Sequence, residues 1–452
     1  MNHLLAIPLS WRLALLFCLG AGLGSVLNLS VYRLAWHKRS ISPWSPWDPS
    51  AVGAKRWIDY VPIAGWWFLR RHAPLHGRRF WIRPLAVELA TGSAVAWLYW
   101  WEVGQRQLVT GLVSPLLAGN PASIVVPGGL LHAVFLAHVL LLGLMVVASL
   151  IDIDEKLIPD EVTIPGTLLA LLLAAAIPWS LLPEVEAVPP AGQPTFGRPL
   201  MTTGGRVVTT RFGQPLSLRF LTSTGPRDWP ASLAGAPRLA SLAIGLGCYA
   251  LWCFAVAPRS WYTRHGMRRA WQLFAARFAR GLRTQLMRGL IVGGSAGVVA
   301  LWWIGGPHWV GLLTALIGLV GGGGIVWAVR VIGSVALRKE AMGFGDVTLM
   351  MMIGAFVGWQ SCLIIFFLAP FAGLAVGIVQ WIFRRDQVIP YGPFLCLATV
   401  GLIATWADVW NATREIFMIG WLVPAVVGFC LVAMGLMLSL WRLVVSLCFD
   451  GR

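Results

Sequence analysis

Several stretches of this chain run for about 20 residues with hardly a charge among them, the length a helix needs to cross a lipid bilayer. No other feature narrows the fold as much. Composition agrees: of 452 residues, 58% are hydrophobic and 12% charged, against roughly 25% charged in a soluble domain. The candidate spans are 11–34, 84–101, 128–150, 162–183, 237–257, 289–305, 309–333, 347–361, 363–383, 392–407 and 417–441. The chain therefore reads as an all-α, polytopic transmembrane helical bundle of about eleven spans. The Met1–Gly24 stretch could pass for a signal peptide, but its apolar character continues to Leu34. It reads as a first membrane helix.

Charge orients the bundle. The net charge is +17, which in a soluble protein would suggest nucleic acid. Here the basic residues gather in two loops. One, from Ala35 to Arg83, holds Lys38, Arg39, Lys55, Arg56, Arg70, Arg71, Arg78, Arg79 and Arg83. The other runs from Pro258 to Arg288. Such clusters fit the positive-inside rule and anionic lipid headgroups, so membrane lipids rather than nucleic acid are the expected partners. Threading the spans with the first loop inside puts the second inside too, with the 334–346 loop and Arg384–Arg385, and leaves 183–236 outside. That last segment is rich in Pro, Gly, Ser and Thr, and reads as a small exported subdomain or as disordered chain. The seven cysteines lie in apolar segments and form no C-x-x-C pair, which argues against a disulfide framework or a thiolate zinc site.

Two acidic clusters stand out against this background. "LIDIDEKLIPDEVTIPG" places Asp152, Asp154, Glu155, Asp160 and Glu161 at the cytoplasmic end of the 128–150 span. "AMGFGDVTLMMMIGAFVGW" places Asp346 at the mouth of an apolar run, after Gly343 and Gly345. The threading brings both to one membrane depth. Ionisable residues there are costly and mark functional candidates. Two carboxylates held close and sharing a proton can polarise a water and protonate a leaving amine. Gly343 and Gly345 would free the backbone and let a substrate strand approach. A helix N-terminus at Asp346 favours its ionised form. Asp160 and Glu161 also read as ordinary helix-start acids.

These motifs resemble those of the prepilin peptidases, the G-x-G-D membrane aspartic proteases of type IV pilus and type II secretion systems. "GFGDVTLMMMIGAFVGW" is similar to their G-x-G-D motif, and "IDIDEKLIPDEVTIP" to their first aspartate motif. "VIPYGPFLCLA" (388–398), "GSVLNLSVYRL" (24–34) and "RPLAVELATG" (83–92) resemble further family segments, in the family's order. The resemblance implies catalytic roles for Asp152 and Asp346, with Asp160, Pro159, Gly343 and Gly345 supporting. It implies cleavage of a leader from prepilin-like (pilin or pseudopilin) substrates at the cytoplasmic face of the bacterial inner membrane. Many members also methylate the new N-terminus with S-adenosylmethionine.

The chain departs from the family in its first loop. Members often carry two zinc-binding C-x-x-C pairs there. Ser42 and Ser45 stand where the first would fall, and "RRHAPLHGRR" holds no cysteine. Serine is a poor zinc ligand, so zinc is not expected, although His72 and His76 have i, i+4 spacing. The methyl transfer attributed to this region is left open. Thr348 stands where many members carry Lys.

The resulting division is a first helix (1–34) and a basic loop corresponding to the family's N-terminal domain (35–83). Helices with the first motif follow (84–183), then an insertion (184–308), the G-x-G-D helices (309–410) and an extra helix (411–452). The alternatives are a presenilin-like intramembrane protease, a proton- or cation-coupled transporter, and an inactive pilus-assembly scaffold. A transporter predicts carboxylates near the bilayer midplane.

Overall fold

A computed structural model of the chain describes residues 7–37, 41, 43–44, 56–117, 124–187, 197–224, 238–257, 272, 276, 280–281, 284–338, 340–382 and 390–449. The Arg384–Arg385 loop, Ser42, Ser45, most of the second basic loop and parts of 183–236 lie outside these residues.

Each of the eleven apolar runs lies wholly or mostly on a helix, as hydrocarbon demands of a backbone that must satisfy its own hydrogen bonds. The helices are α1 (Leu9–Leu34), α2 (Ile82–Tyr99), α3 (Gly128–Glu155), α4 (Asp160–Ala176), α5 (Leu239–Val256), α6 (Gln285–Ile304), α7 (Gly306–Leu337), α8 (Phe344–Val357), α9 (Trp359–Ile382), α10 (Gly392–Ala404), α11 (Trp406–Phe417) and α12 (Leu422–Phe449). The chain is an all-α multi-pass membrane protein, but the count of eleven spans is not met. Among the described residues, seven helices are long and apolar enough to cross a membrane, or eight if the bent pair α10 and α11 is one span.

The shortfall has physical reasons. Arg83 and Glu88 lie within α2. Helix α4 has 17 residues and α8 has 14, or about 26 Å and 21 Å of rise. Helix α8 stops at Gly358, whose φ of 82° and ψ of 167° suit glycine almost alone. Thr405 separates α10 from α11 at a 95° bend. Apolar runs continue across both breaks, so periodicity and length do not reveal them.

Small residues let the central helices pack closely, as in membrane bundles generally. A Cβ on Gly318 of α7 would strike the carbonyl oxygen of Gly354 in α8, and the converse holds. Gly166 of α4 faces Met352 of α8 in the same way. The most buried face of the bundle is thus α8, which α4, α7 and α10 surround. Helix α1 lies along α2, where a Cβ on Gly20 would come within 2.9 Å of the Cα of Gly92.

One end of the bundle carries a small cap. Strands β2 (Pro183–Ala187), β5 (Leu216–Phe220) and β3 (Arg198–Pro199) form an antiparallel sheet, and β1 (Ile124–Val125) pairs with β4 (Met201–Thr202). Arg219 of β5 pairs with Glu184 and Glu186 of β2 at 3.0 and 2.6 Å. Neutral bonds tie the cap to the helices. Trp406 Nε1 donates to the Pro183 carbonyl at 2.8 Å, Trp359 Nε1 to Ser223 at 2.9 Å and Gln360 Nε2 to Thr222 at 2.8 Å. At the opposite end, the last turns of α1, α3 and α7 meet the first turns of α2, α4, α8 and α10. Both acidic clusters lie there.

Candidate active site

Asp152 sits in the last turn of α3. The helix ends at Lys156, which is left-handed (φ 54°), and the chain turns back through Pro159 into α4. Pro159 caps α4, with Asp160 and Glu161 in its first turn. Asp346 lies in the first turn of α8, behind its cap Gly343. Both aspartates are buried, at 3% and 7% exposure, although 193 residues of chain separate them.

Helix α10 brings them into one site. A Cβ built on Gly392, its first residue, would lie 2.6 Å from Oδ2 of Asp152 and 3.2 Å from Oδ1 of Asp346. The two oxygens therefore lie within about 6 Å of each other, the sum of these reaches. That is within the reach of one water bonded to both oxygens. The Gly392 N–H lies near the Asp152 carboxylate, and the Gly343 N–H near Asp346. Oδ2 of Asp152 is buried with no hydrogen-bond partner. Tyr391 lies within electrostatic reach of Asp346.

Of the two glycines before Asp346, Gly345 acts through size, while a Cβ on Gly343 would make only ordinary contacts. Gly343 has an ordinary φ of −66°, and neither it nor Gly345 is among the positive-φ glycines. A Cβ on Gly345 would come within 2.9 Å of Ile158 Cβ, so its bare backbone seats the turn that follows Asp152. Ile158 also reaches within 3.0 Å of the Cβ position at Gly392. It therefore packs where all three segments of the site converge. Thr348 donates its hydroxyl to the Gly345 carbonyl at 3.0 Å.

The neighbouring acids serve the frame. Asp154 accepts Arg83 Nη1 on both carboxylate oxygens, at 2.8 and 2.7 Å. Glu155 accepts the backbone N–H groups of Trp36 and His37, at 2.6 and 2.9 Å. Gly392, Ile158, Arg83 and Arg330 are the residues that reading the motifs did not single out. Gly392 lay in a quoted segment, where the Gly-Pro pair at a helix start was the available signal.

Among the described residues no group of three or more His, Cys, Asp or Glu side chains is placed to hold a metal ion. His76 lies against Phe80, with ring centroids 5.3 Å apart. Charge and aromatic packing organise the basic loop. Arg71 forks onto the buried Asp59, which also accepts the Arg56 N–H at 2.8 Å. Burial alone would raise the Asp59 carboxyl. The Arg71 and Arg56 hydrogen bonds and the Arg71 charge outweigh it and hold the group below the usual carboxylate range. The Arg70 guanidinium lies between the Trp67 and Trp81 rings, 3.6 and 3.7 Å from their centroids, a cation–π arrangement. Glu88 of α2 accepts the Ile63 N–H at 2.5 Å, where the loop takes a φ of 66°, rare for a β-branched residue.

Comparison with known proteins finds likeness in two separate stretches. Residues 18–102 match the bacterial peptidase A24 N-terminal domain, and residues 282–378 match the type IV leader peptidase family. Asp346 lies in the second stretch and Asp152 in neither. The prepilin leader peptidase/N-methyltransferase of Aeromonas hydrophila is 35% identical over 103 residues, 22% of this chain and 35% of the relative. The protein of that name from Pseudomonas putida is 36% identical over 104 residues, 22% of this chain and 35% of its own length. The one from Escherichia coli K12 is 32% identical over 93 residues, 20% of this chain and 41% of its own. The matches thus span about a third of the length of these relatives. No solved structure matches. The resemblance to the prepilin peptidases seen in the motifs is met by both family matches.

Proposed function

From this likeness to the type IV leader peptidases, we propose that the protein is a membrane aspartic endopeptidase that removes the leader of prepilin-like substrates at the cytoplasmic membrane face. The observation that carries the reading is the meeting of Asp152 and Asp346 around Gly392. Their position supports a peptidase over a transporter, because both carboxylates sit within a turn of a helix end rather than at mid-span.

The chemistry follows from two carboxyl groups that share one proton. The helix dipoles separate their roles. Asp346, in a first turn, is the better-placed anion, and Asp152, in a last turn, the better-placed proton holder. Asp346 takes a proton from water as the water oxygen attacks the scissile carbonyl. Asp152 gives its proton to the carbonyl oxygen. Collapse of the tetrahedral diol returns that proton to Asp152 and passes the proton on Asp346 to the leaving nitrogen. A leader with a C-terminal carboxyl group and a substrate with a free N-terminal amine result, and the pair is restored.

Co-expression with a prepilin-like substrate, read by product mass, tests this. Wild type should cleave. Asp152→Asn and Asp346→Asn should each lose at least about 10³-fold in rate, because the pair acts as a unit. Cleavage that survives either substitution would sink the mechanism. A product heavier by about 14 Da, the mass of one methylene on an amine that reacts as a nucleophile, would add N-methylation, with S-adenosylmethionine as the methyl donor.

A further inference from the structure

Each aspartate sits on a segment held by one arginine, and both arginines grip a carboxylate and a main-chain carbonyl. Arg83, from the first turn of α2, grips Asp154 through Nη1 and donates Nη2 to the Leu150 carbonyl at 3.1 Å. Its two contacts fall on either side of Asp152. Arg330, from the last third of α7, donates Nη2 to Glu340 at 2.6 Å and Nε to the Met342 carbonyl at 2.8 Å. Its guanidinium also lies 5.5 Å from the Phe344 ring centroid. These contacts hold the chain that enters the G-x-G-D turn.

We infer that Arg83 and Arg330 are positioning residues, a matched pair of braces that set the spacing of Asp152 and Asp346. The inference rests on the peptidase reading above.

The chemistry of the fork explains why arginine stands at both places. One guanidinium can meet a carboxylate and a carbonyl at fixed geometry, whereas an ammonium is a single flexible point charge. The carbonyl is the telling contact. A residue present only to neutralise an acid has no need of one, but a brace must grip main chain. Both braces also come from outside the segment they hold. Arg83 belongs to the N-terminal unit and reaches α3 across the bundle. Arg330 reaches back from α7 over the loop to α8. Glu155 adds to the first brace by holding Trp36 and His37 at the end of α1. The N-terminal unit therefore locks the helix end that carries Asp152. This gives it a task in peptide cleavage that needs no metal and no methyl donor.

Displacing a reacting group by about 1 Å costs on the order of 100-fold in rate. Arg83→Gln and Arg330→Gln should therefore each lower kcat by about 10- to 100-fold, with KM within about twofold of wild type. Arg83→Lys should fall between, and the exchange of Arg83→Asp with Asp154→Arg should recover part of the loss. Rates are taken per folded molecule, on detergent-solubilised protein of wild-type melting behaviour. Native-state hydrogen exchange on the same proteins reads the brace without activity. Arg83→Gln should speed exchange at 150–156 and leave 340–346 alone, and Arg330→Gln should do the reverse. Unchanged kcat in both glutamine variants of an active enzyme would overturn the inference, as would a loss confined to KM. If wild type cleaves nothing, the peptidase reading fails by itself. Exchange then decides the braces: unaltered exchange at both segments overturns them.

Discussion

The two ends of the bundle are held by different physics. At the aspartate end the fastenings between segments are charged: Arg83 on Asp154, Arg330 on Glu340, Arg71 on Asp59 and Glu155 on the end of α1. At the cap end neutral bonds predominate, beside a few charged ones such as Arg106 on the Ile124 carbonyl and Glu102 on His138. Indole and amide N–H groups of Trp406, Trp359 and Gln360 donate to carbonyls, and Trp406, Trp410 and Phe417 stack in series. The cap's Arg219 cluster joins β2 to β5 inside the sheet rather than cap to helices. The working end should therefore yield to substitutions that alter charge or local spacing. The cap should yield only to those that alter backbone or packing.

The strongest challenge to this contrast is Gly392→Ala. Its methyl group would press on Asp152 at 2.6 Å. We expect cleavage to fall on the order of 100-fold with an unaltered melting temperature, read from rate and thermal unfolding of one preparation. Gly358→Ala is its counterpart at the other end. There the backbone, with φ 82°, should cost about 1–3 kcal/mol of stability, seen as a lower melting temperature, while activity per folded molecule holds. Trp406→Phe keeps an aromatic ring, smaller than the indole, and removes the bond to the Pro183 carbonyl. It should cost about 1 kcal/mol by the same measurement.

Asp59→Asn should have the smallest global effect, because it acts on one loop. Its carboxyl is held below the ordinary range, so it stabilises the loop fully above the unfolded value of roughly 3.9. That contribution is lost as pH falls through the lower, folded value. Wild type should resist digestion of 56–81 by an acid protease near pH 4 and lose that resistance on further acidification. The variant should be cut at both, with bundle melting unchanged. Equal digestion of the two proteins near pH 4 would remove Asp59 from the loop's fastenings.

Much of this was legible in the chain and some was not. Apolar runs announce helices because hydrocarbon leaves a backbone few other choices. They did not announce the breaks at Gly358 and Thr405, since apolar residues continue through both. The strands around Val185 and Leu218 were invisible because they belong to a Pro- and Gly-rich segment whose order depends on pairing between strands about 30 residues apart and on Trp406, distant in sequence. Asp152 and Asp346 stood out as charges at the ends of apolar runs. Gly392, which lies between them, has no chemistry of its own to draw attention. The glycines before Asp346 were read as backbone freedom, but Gly345 gives up its side chain to Ile158, a partner that only the tertiary fold supplies. Arg83 and Arg330 merged into a general basic excess that orients the chain and hides which cations have tasks.

The short helix under Asp346 has a consequence for how the bundle meets lipid. At 14 residues it spans about 21 Å, against a hydrocarbon layer about 30 Å thick. Neighbours of 28 and 32 residues flank it. Every residue from Asp346 to Val357 is buried by protein, so the shortfall is met by neighbouring helices and not by the bilayer. The helix that holds Asp346 is therefore free to be as short as its site requires.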